Sequence, residues 1–263
     1  MKNPPVVLTV AGSDNSCGAG AQADLKTITT LGGYAQTAIT CVVAEVPGAV
    51  ETIQPVKPAV VEAQMRLSLR AFPVRGIKTG MLFSPAIVRR VADTLSRLAP
   101  GTPLVVDPVM VASSGAPLLA PAAIAAYQTQ LFPLATLLTP NLDELRILSG
   151  MPCKDHRQME EAGRALVERF GCSVLAKGGH LGTKQAVDIL ITPEGSERFT
   201  APFRRRVDTH GTGCTFAAAI ATGLAQGHSL SEAVRRGKRF ITAAIEQRLT
   251  WGKTTALDHR VQV

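Results

Sequence analysis

The chain has 263 residues, 46% of them hydrophobic and 18% charged, a globular composition that excludes a disordered or fibrous protein. Its net charge of +8 is scattered except at Arg204-Arg205-Arg206, and only two Tyr and one Trp are present to stack on bases, so a solvated basic face is expected and nucleic-acid binding is not. Five cysteines, an odd number with no CxxC pair, argue against a disulfide framework and a structural zinc site.

In chain order, Pro5 to Ala11 reads as a buried strand. That apolar run is too short for the core of a signal peptide. No later run approaches the roughly 18 residues of a membrane helix, so a cytoplasmic protein without a membrane partner is expected. Ala19 to Leu31 reads as a helix stopped by Gly32-Gly33, and Ala35 to Val43 as a strand. In Lys57 to Ala71, Val60, Val61, Met65 and Leu69 recur at helical spacing. Val74 to Lys78 is a short strand, and Pro85 to Leu98 a helix with Pro in its first turn.

The second half repeats the theme. Strands are expected at Pro103 to Val106, Ala135 to Leu138 and Ser173 to Ala176; helices at Pro121 to Leu131, Leu142 to Leu148 and His156 to Phe170. Gln185 to Thr192 and Glu197 to Ala201 read as a hairpin, and helices at Gly213 to Gln226 and Leu230 to Arg248 follow. Strands alternating with helices give an α/β fold with a mainly parallel sheet covered on both faces, and no linker divides residues 1–263 into more than one domain. Ligands of such sheets sit at the carboxyl ends of the strands.

The strongest chemical signal is Asp208-Thr209-His210-Gly211-Thr212-Gly213-Cys214-Thr215, followed by the small apolar run Phe216 to Ala221. Glycines let backbone N–H groups converge, and a helix starting there adds its positive end, which together make an anion hole for a transferring phosphoryl group. A Gly-rich turn before a packed helix is the plain alternative. A thiol at a helix start has a lowered pKa, which suits Cys214 to be a general base; an inert buried cysteine is the alternative. Lone histidines His156, His180, His228 and His259 are expected at the surface or in loops.

His210 to Thr215 is similar to the C-terminal signature of the hydroxymethylpyrimidine/phosphomethylpyrimidine kinases of thiamine synthesis, within the ribokinase-like class. The stretches Val10 to Asp14 and Gly18 to Thr27 resemble that family's other signature. Lys78 to Leu82, Val106 to Met110, Thr139 to Glu144 and Lys177 to His180 match in order, so the resemblance spans about Val6 to Arg248. It implies a ribokinase-like three-layer α/β/α sandwich, use of ATP and Mg²⁺, and a homodimer.

By the resemblance, Cys214 is the base and Gly211, Thr212 and Gly213 supply N–H groups. Gly12, Asp24, Met81 and Val109 contact the pyrimidine. Asp107 and Glu144 stand near the metal through water. From position alone, Lys177, after a strand and before two glycines, can reach a phosphate, and Asn141 and Asp188, the latter in the following strand, are placed on the ATP side. Each has a plainer reading as well: Asp24 and Glu144 as acids near helix starts, Met81 as core.

The sequence also departs from the family. Glu45 stands where a Gln that hydrogen-bonds the aminopyrimidine is usual, and an ionised Glu only accepts. Cys17 replaces a common glycine, Asn15 a common proline, Asp208 a usual Asn and Ala217 a usual Ser; the glycine-rich tail is reduced to Trp251-Gly252-Lys253 with a distant His259. The expected reaction is phosphorylation of 4-amino-5-hydroxymethyl-2-methylpyrimidine and of its monophosphate. A pyridoxal or pyridoxine kinase is the alternative on the same fold, and a non-catalytic pyrimidine or nucleotide sensor the alternative of another class.

Overall fold

Side-chain alternation along the strands decides the architecture. The computed structural model describes residues 3–110, 121–179, 181, 185–203 and 210–262; the basic run Arg204 to Arg206, Asp208, Thr209 and His180 lie outside the described residues. Nine strands form one sheet: β1 (Val6–Asp14), β2 (Tyr34–Val46), β3 (Ala49–Pro55), β4 (Val74–Thr79), β5 (Leu104–Val106), β6 (Leu137–Leu138), β7 (Ser173–Lys177), β8 (Gln185–Thr192) and β9 (Gly195–Pro202). Leu8, Val10, Val106, Leu138, Val174, Ile189 and Ile191 join one apolar cluster, while the intervening Val7, Val105, Leu137, Leu175 and Leu190 join another. A strand buried on both faces needs helices on both, and this sheet has them.

Helices α2 (Pro58–Ala71), α3 (Pro85–Leu98), α4 (Pro121–Ala126), α5 (Leu142–Ser149) and α6 (His156–Phe170) bring Val61, Met65, Val88, Val91, Leu145 and Leu166 to the first cluster. Helices α1 (Gly20–Thr30), α7 (Thr212–Ala225) and α8 (Leu230–Glu246) bring Ile28, Phe216, Ile220, Val234 and Phe240 to the second. The result is the expected three-layer α/β/α sandwich. Among the described residues no helix is long and apolar enough to cross a membrane.

The sheet order is β3-β2-β1-β4-β5-β6-β7-β8-β9. Strands β2, β1, β4, β5, β6 and β7 run parallel, and β3, β8 and β9 are attached antiparallel. Strand order reverses beside β1, so a crevice opens at the carboxyl ends of β1 and β4.

Three local features differ from the sequence reading. Strand β2 runs on to Val46 and returns as β3, whose residues are mostly exposed and carry no apolar alternation. The helix expected to reach Leu131 is α-helical only to Ala126, and Tyr127–Leu131 forms a wider π turn. Helix α8 stops at Glu246, after which β10 (Leu249–Trp251) pairs with β11 (Thr254–Ala256) around Gly252, whose φ is 58°.

Candidate active site

At the end of β1 the chain turns sharply around Asp14. Its Oδ1 accepts from the Ser16 N–H at 2.7 Å, and its Oδ2 accepts from Ser16 Oγ at 2.9 Å and from the Ala19 N–H at 2.7 Å. His210 Nε2 lies 3.0 Å from the same Oδ2. Burial pushes this carboxyl up, but the bonds from His210, Ser16 and Ala19 outweigh it and hold Asp14 at about 2. The pair ties the two signature loops together. Gly211 packs so closely on this loop that a Cβ there would collide with the Gly18 carbonyl, and its φ of 78° favours glycine. Cys17, in place of a common glycine, also has a left-handed φ of 58°. The turn predicted to be an anion hole is therefore held backbone-to-backbone against the start of α1.

Cys214 is the third residue of α7 and half-buried. The sequence reading gave it a lowered pKa, and the structure reverses this. Burial pushes the thiol up to about 11, against the pull of the Lys78 ammonium; Asp24 and Asp107 push it further up, and the Gly20 backbone lowers it. The protein at rest carries a thiol. Asp24 is also corrected. It is the fifth residue of α1, wholly buried, and holds no ligand-facing oxygen. Its Oδ1 and Oδ2 accept from Lys78 Nζ at 3.0 and 2.8 Å, and Thr9 donates to Oδ2 at 2.6 Å. Lys78 is equally buried, and a Cβ on Gly80 would lie 2.8 Å from its ammonium. Asp24 thus anchors the floor beneath the thiol rather than contacting a ring.

The residues expected near phosphate converge. Lys177 Nζ lies 2.9 Å from Asp107 Oδ1, which also accepts from Thr139 Oγ1 at 3.1 Å. A Cβ placed on Gly213 would sit 3.2 Å from Lys177 Nζ and 3.3 Å from Asp107 Oδ2. The first turn of α7, a lysine at the end of β7 and a carboxylate after β5 therefore face one spot. A half-buried ammonium paired with Asp107 suits a phosphate, and Asp107 Oδ2 is the carboxylate oxygen that fits a magnesium ion held mainly by phosphates and water.

Glu144 fits that ion less well. Its Oε1 accepts from the Met110 N–H and its Oε2 from the Asn141 N–H, both at 2.9 Å, completing a capping box with Asn141 at the start of α5. Burial raises its pKa to about 7, with Lys177 opposing and Asp107 adding. Its direct role is to hold the Asp107–Met110 segment. Asn141 Oδ1 accepts from the Asp143 and Glu144 N–H groups, so this side chain caps α5. Asp188 is a correction of the same kind. It accepts from the Gly178 N–H at 3.1 Å and Lys238 Nζ at 2.7 Å, so it supports the Lys177-Gly178 turn from beneath instead of reaching a nucleotide.

On the ring side the structure brings Gly12 and Met81 together. Gly12 is buried, and a Cβ there would lie 2.8 Å from Cys41 Sγ and 3.9 Å from Met81 Cβ. Met81 is half-buried, its carbonyl accepts from Thr40 Oγ1 at 2.6 Å, and Tyr127 Oη bridges the Gly80 carbonyl and the Leu82 N–H. Val109 has a φ of 47°, a left-handed backbone that β-branched residues avoid, and such strain collects at ligand clamps. Half-buried Glu45 comes within 4.8 Å of Asp14 and His210, ligand atom to ligand atom. Burial raises its pKa, Asp14 adds to this and His210 opposes it. That trio has the spacing of a cation site, but Asp14 already accepts from Ser16, Ala19 and His210, so it reads as a hydrogen-bonded lock.

Sequence reasoning missed Lys78, Thr40, Tyr127 and the Asp14–His210 pair. Lys78 and Asp14 lie within quoted motifs, and that was the available signal; Thr40 and Tyr127 act through strand and helix neighbours distant in sequence. His259, expected at the surface or in a loop, lies in a turn but is only 4% exposed.

Residues 14–257 match the model of a family described as phosphomethylpyrimidine kinase. The chain is 47% identical over 239 residues to the thiamine biosynthesis bifunctional protein ThiED of Geobacter sulfurreducens, covering 91% of this chain but only 49% of that one. It thus spans about half the length of that relative. It is 42% identical to the hydroxymethylpyrimidine/phosphomethylpyrimidine kinase of Streptomyces coelicolor, covering 92% of this chain and 89% of the other. Among solved structures, an ADP complex of Bacillus subtilis pyridoxal kinase superposes with a TM-score of 0.88 at 36% identity over 97% of each chain. A motif order read along the sequence, a site assembled from those motifs and a family match over most of the residues agree, and the chain belongs to the phosphomethylpyrimidine kinase family.

Proposed function

We propose that this protein transfers the γ-phosphoryl group of ATP to the hydroxymethyl oxygen of 4-amino-5-hydroxymethyl-2-methylpyrimidine, and then phosphorylates the monophosphate, in thiamine synthesis. The observation that carries the reading is the meeting of Gly213, Lys177 and Asp107 at one spot beside Cys214. The N–H groups of Gly211, Thr212, Gly213 and Cys214 cradle the moving phosphoryl, and Lys177 adds a point charge. Asp107 Oδ2, with Asn141 and Glu144 shaping the turn beside it, would hold a magnesium ion, which would supply charge neutralisation to the phosphates. The ring lies against Gly12, Met81, Val109 and Glu45.

Cys214 takes the proton of the hydroxymethyl group. Phosphoryl transfer is loose, so the nucleophile's proton is lost late, and a thiol that is neutral at rest receives no like-charge penalty from incoming phosphates. The Cys214 thiol first gives its proton to solvent, leaving a thiolate beside the Lys78 ammonium, the cation that lowers its pKa, and the thiolate then takes the hydroxymethyl proton as that oxygen bonds to the γ-phosphorus and ADP leaves. We further propose that the enzyme acts in the cytosol as a homodimer.

Release of ADP from Mg-ATP tests the reading. Hydroxymethylpyrimidine is expected to give a higher kcat/KM than pyridoxal or pyridoxine. Cys214→Ala is expected to lower kcat by about a hundredfold or more with the fold intact, and near-normal turnover in that variant sinks the base role. One observation favours the B6 alternative: the fold superposes closely on a pyridoxal kinase while Glu45 replaces the usual Gln. A preference for B6 vitamers would keep the mechanism and move the substrate.

A further inference from the structure

We propose that His259 is a positioning residue that makes the C-terminal segment a strut under the catalytic turn. Its Nε2 lies 3.0 Å from Thr215 Oγ1, with the histidine 4% exposed and the threonine fully buried. The inference rests on the reading of Cys214 and the α7 N–H groups as catalytic.

Thr215 follows Cys214, and its own N–H donates to the Gly211 carbonyl at 2.9 Å, closing the first turn of α7. One residue therefore carries both the backbone bond that forms the anion-hole turn and the side-chain bond to the strut. His259 is fixed from its own side. Leu257 and Val261 belong to the apolar cluster of α7 and α8, the Asp258 N–H donates to the Ala244 carbonyl at 3.2 Å, and Asp258 pairs with Arg260 at 2.8 Å. Lys26 of α1 faces the imidazole electrostatically and donates to the Cys17 carbonyl. The ring thus bonds the first turn of α7, whose start interlocks with the approach to α1 at Gly18 and Gly211.

An apolar side chain would pack in this cluster without needing any partner. A buried imidazole requires one, and its hydrogen bond is directional where dispersion contacts are not. The arrangement sets the rotation and height of the first α7 turn, where small misplacements of donors cost rate more than binding.

The test compares Thr215→Val, His259→Phe, the double variant and His259→Gln in the ADP-release assay, with thermal unfolding in parallel. Each apolar single variant is expected to lower kcat about tenfold while the KM for the ring substrate changes less than about twofold. The double variant is expected to be no slower than the worse single, and His259→Gln, which restores a donor and an acceptor, to recover part of kcat. Unchanged kcat in Thr215→Val overturns the proposal, and so does a double variant whose losses multiply. Should His259→Phe fail to fold, Thr215→Val alone decides. Cys214→Ala, run beside them, separates the failures. Full turnover there removes the base role of Cys214 on which the proposal rests; an inactive Cys214→Ala with unimpaired Thr215→Val removes only the strut.

Discussion

Lys78 and Asp24 form an ion pair with no exposed side-chain surface. A buried charge that loses its partner is costly, so Asp24→Leu or Lys78→Met alone is expected to destabilise the protein by about 3–5 kcal/mol, and the double variant by much less. Thermal or urea unfolding checks this; equal losses in single and double variants would deny the pairing. His259 has the opposite problem, a neutral form favoured by the fold. Burial and Lys26 lower its pKa from 6.5 to about 4, against the Leu257 backbone and Asp258. Between those values the unfolded chain binds more protons, so stability falls as pH drops from about 6.5 to about 4, by at most about 1.4 kcal/mol per pH unit. Glu144 and Glu45, raised by burial, titrate with the opposite sign, so the comparison that isolates His259 is the melting temperature against pH in wild type and His259→Gln. The wild type is expected to lose more between pH 7 and pH 5. Cys214 was legible from its motif because glycines and a helix start surround it in sequence. Its protonation was not, because the groups that set it arrive from β4, α1 and the end of β5.

Helix α7 shows what an element contributes beyond its residues. Its first turn is polar and half-exposed, whereas Thr215 to Gly223 are buried. The helix therefore cannot shift its start without disturbing the core. Gly213→Ala places a methyl 3.2 Å from Lys177 Nζ and 3.3 Å from Asp107 Oδ2 on backbone already helical. The fold is expected to tolerate it within about 1 kcal/mol, as Ala is the better helix former, while kcat/KM for ATP falls about tenfold or more because the methyl occupies phosphate space. Equal kinetics would place the phosphoryl group elsewhere. Elements with strong periodicity, such as α2, α3 and α6, were legible in outline. The β2–β3 hairpin was not, since Ala49 to Pro55 is exposed and gains its pairing from the neighbouring strand rather than from its own pattern. The C-terminal hairpin β10–β11 escaped for the same reason.

At the scale of the whole molecule, the alternation of β and α segments carried the parallel sheet and its two covered faces. The sequence did not reveal which motifs would touch, and Asp188 was assigned to the nucleotide side only because it follows Lys177. The proposed homodimer is tested by light scattering, with a mass about twice the 27.7 kDa of one chain expected. Val42, Val46 and Val50 on the β2–β3 hairpin and Phe72 after α2 are exposed apolar side chains available to such an interface, and a mass of one chain at micromolar concentration would oppose it.

The Asp14–His210 contact joins residues 196 positions apart. During synthesis β1, β2 and β4 are all made well before α7. At about 5–20 residues per second, Gly12, Met81, Asp107 and Lys177 are all made before residue 210, while the α7 turn that completes the phosphoryl side is still untranslated. A nascent chain paused before residue 210 would have a pyrimidine wall but no site for transfer, and closing so distant a contact is a slow step by topology alone. Activity therefore depends on the late-made part of the chain, and a chain ending before residue 210 is expected to show no turnover.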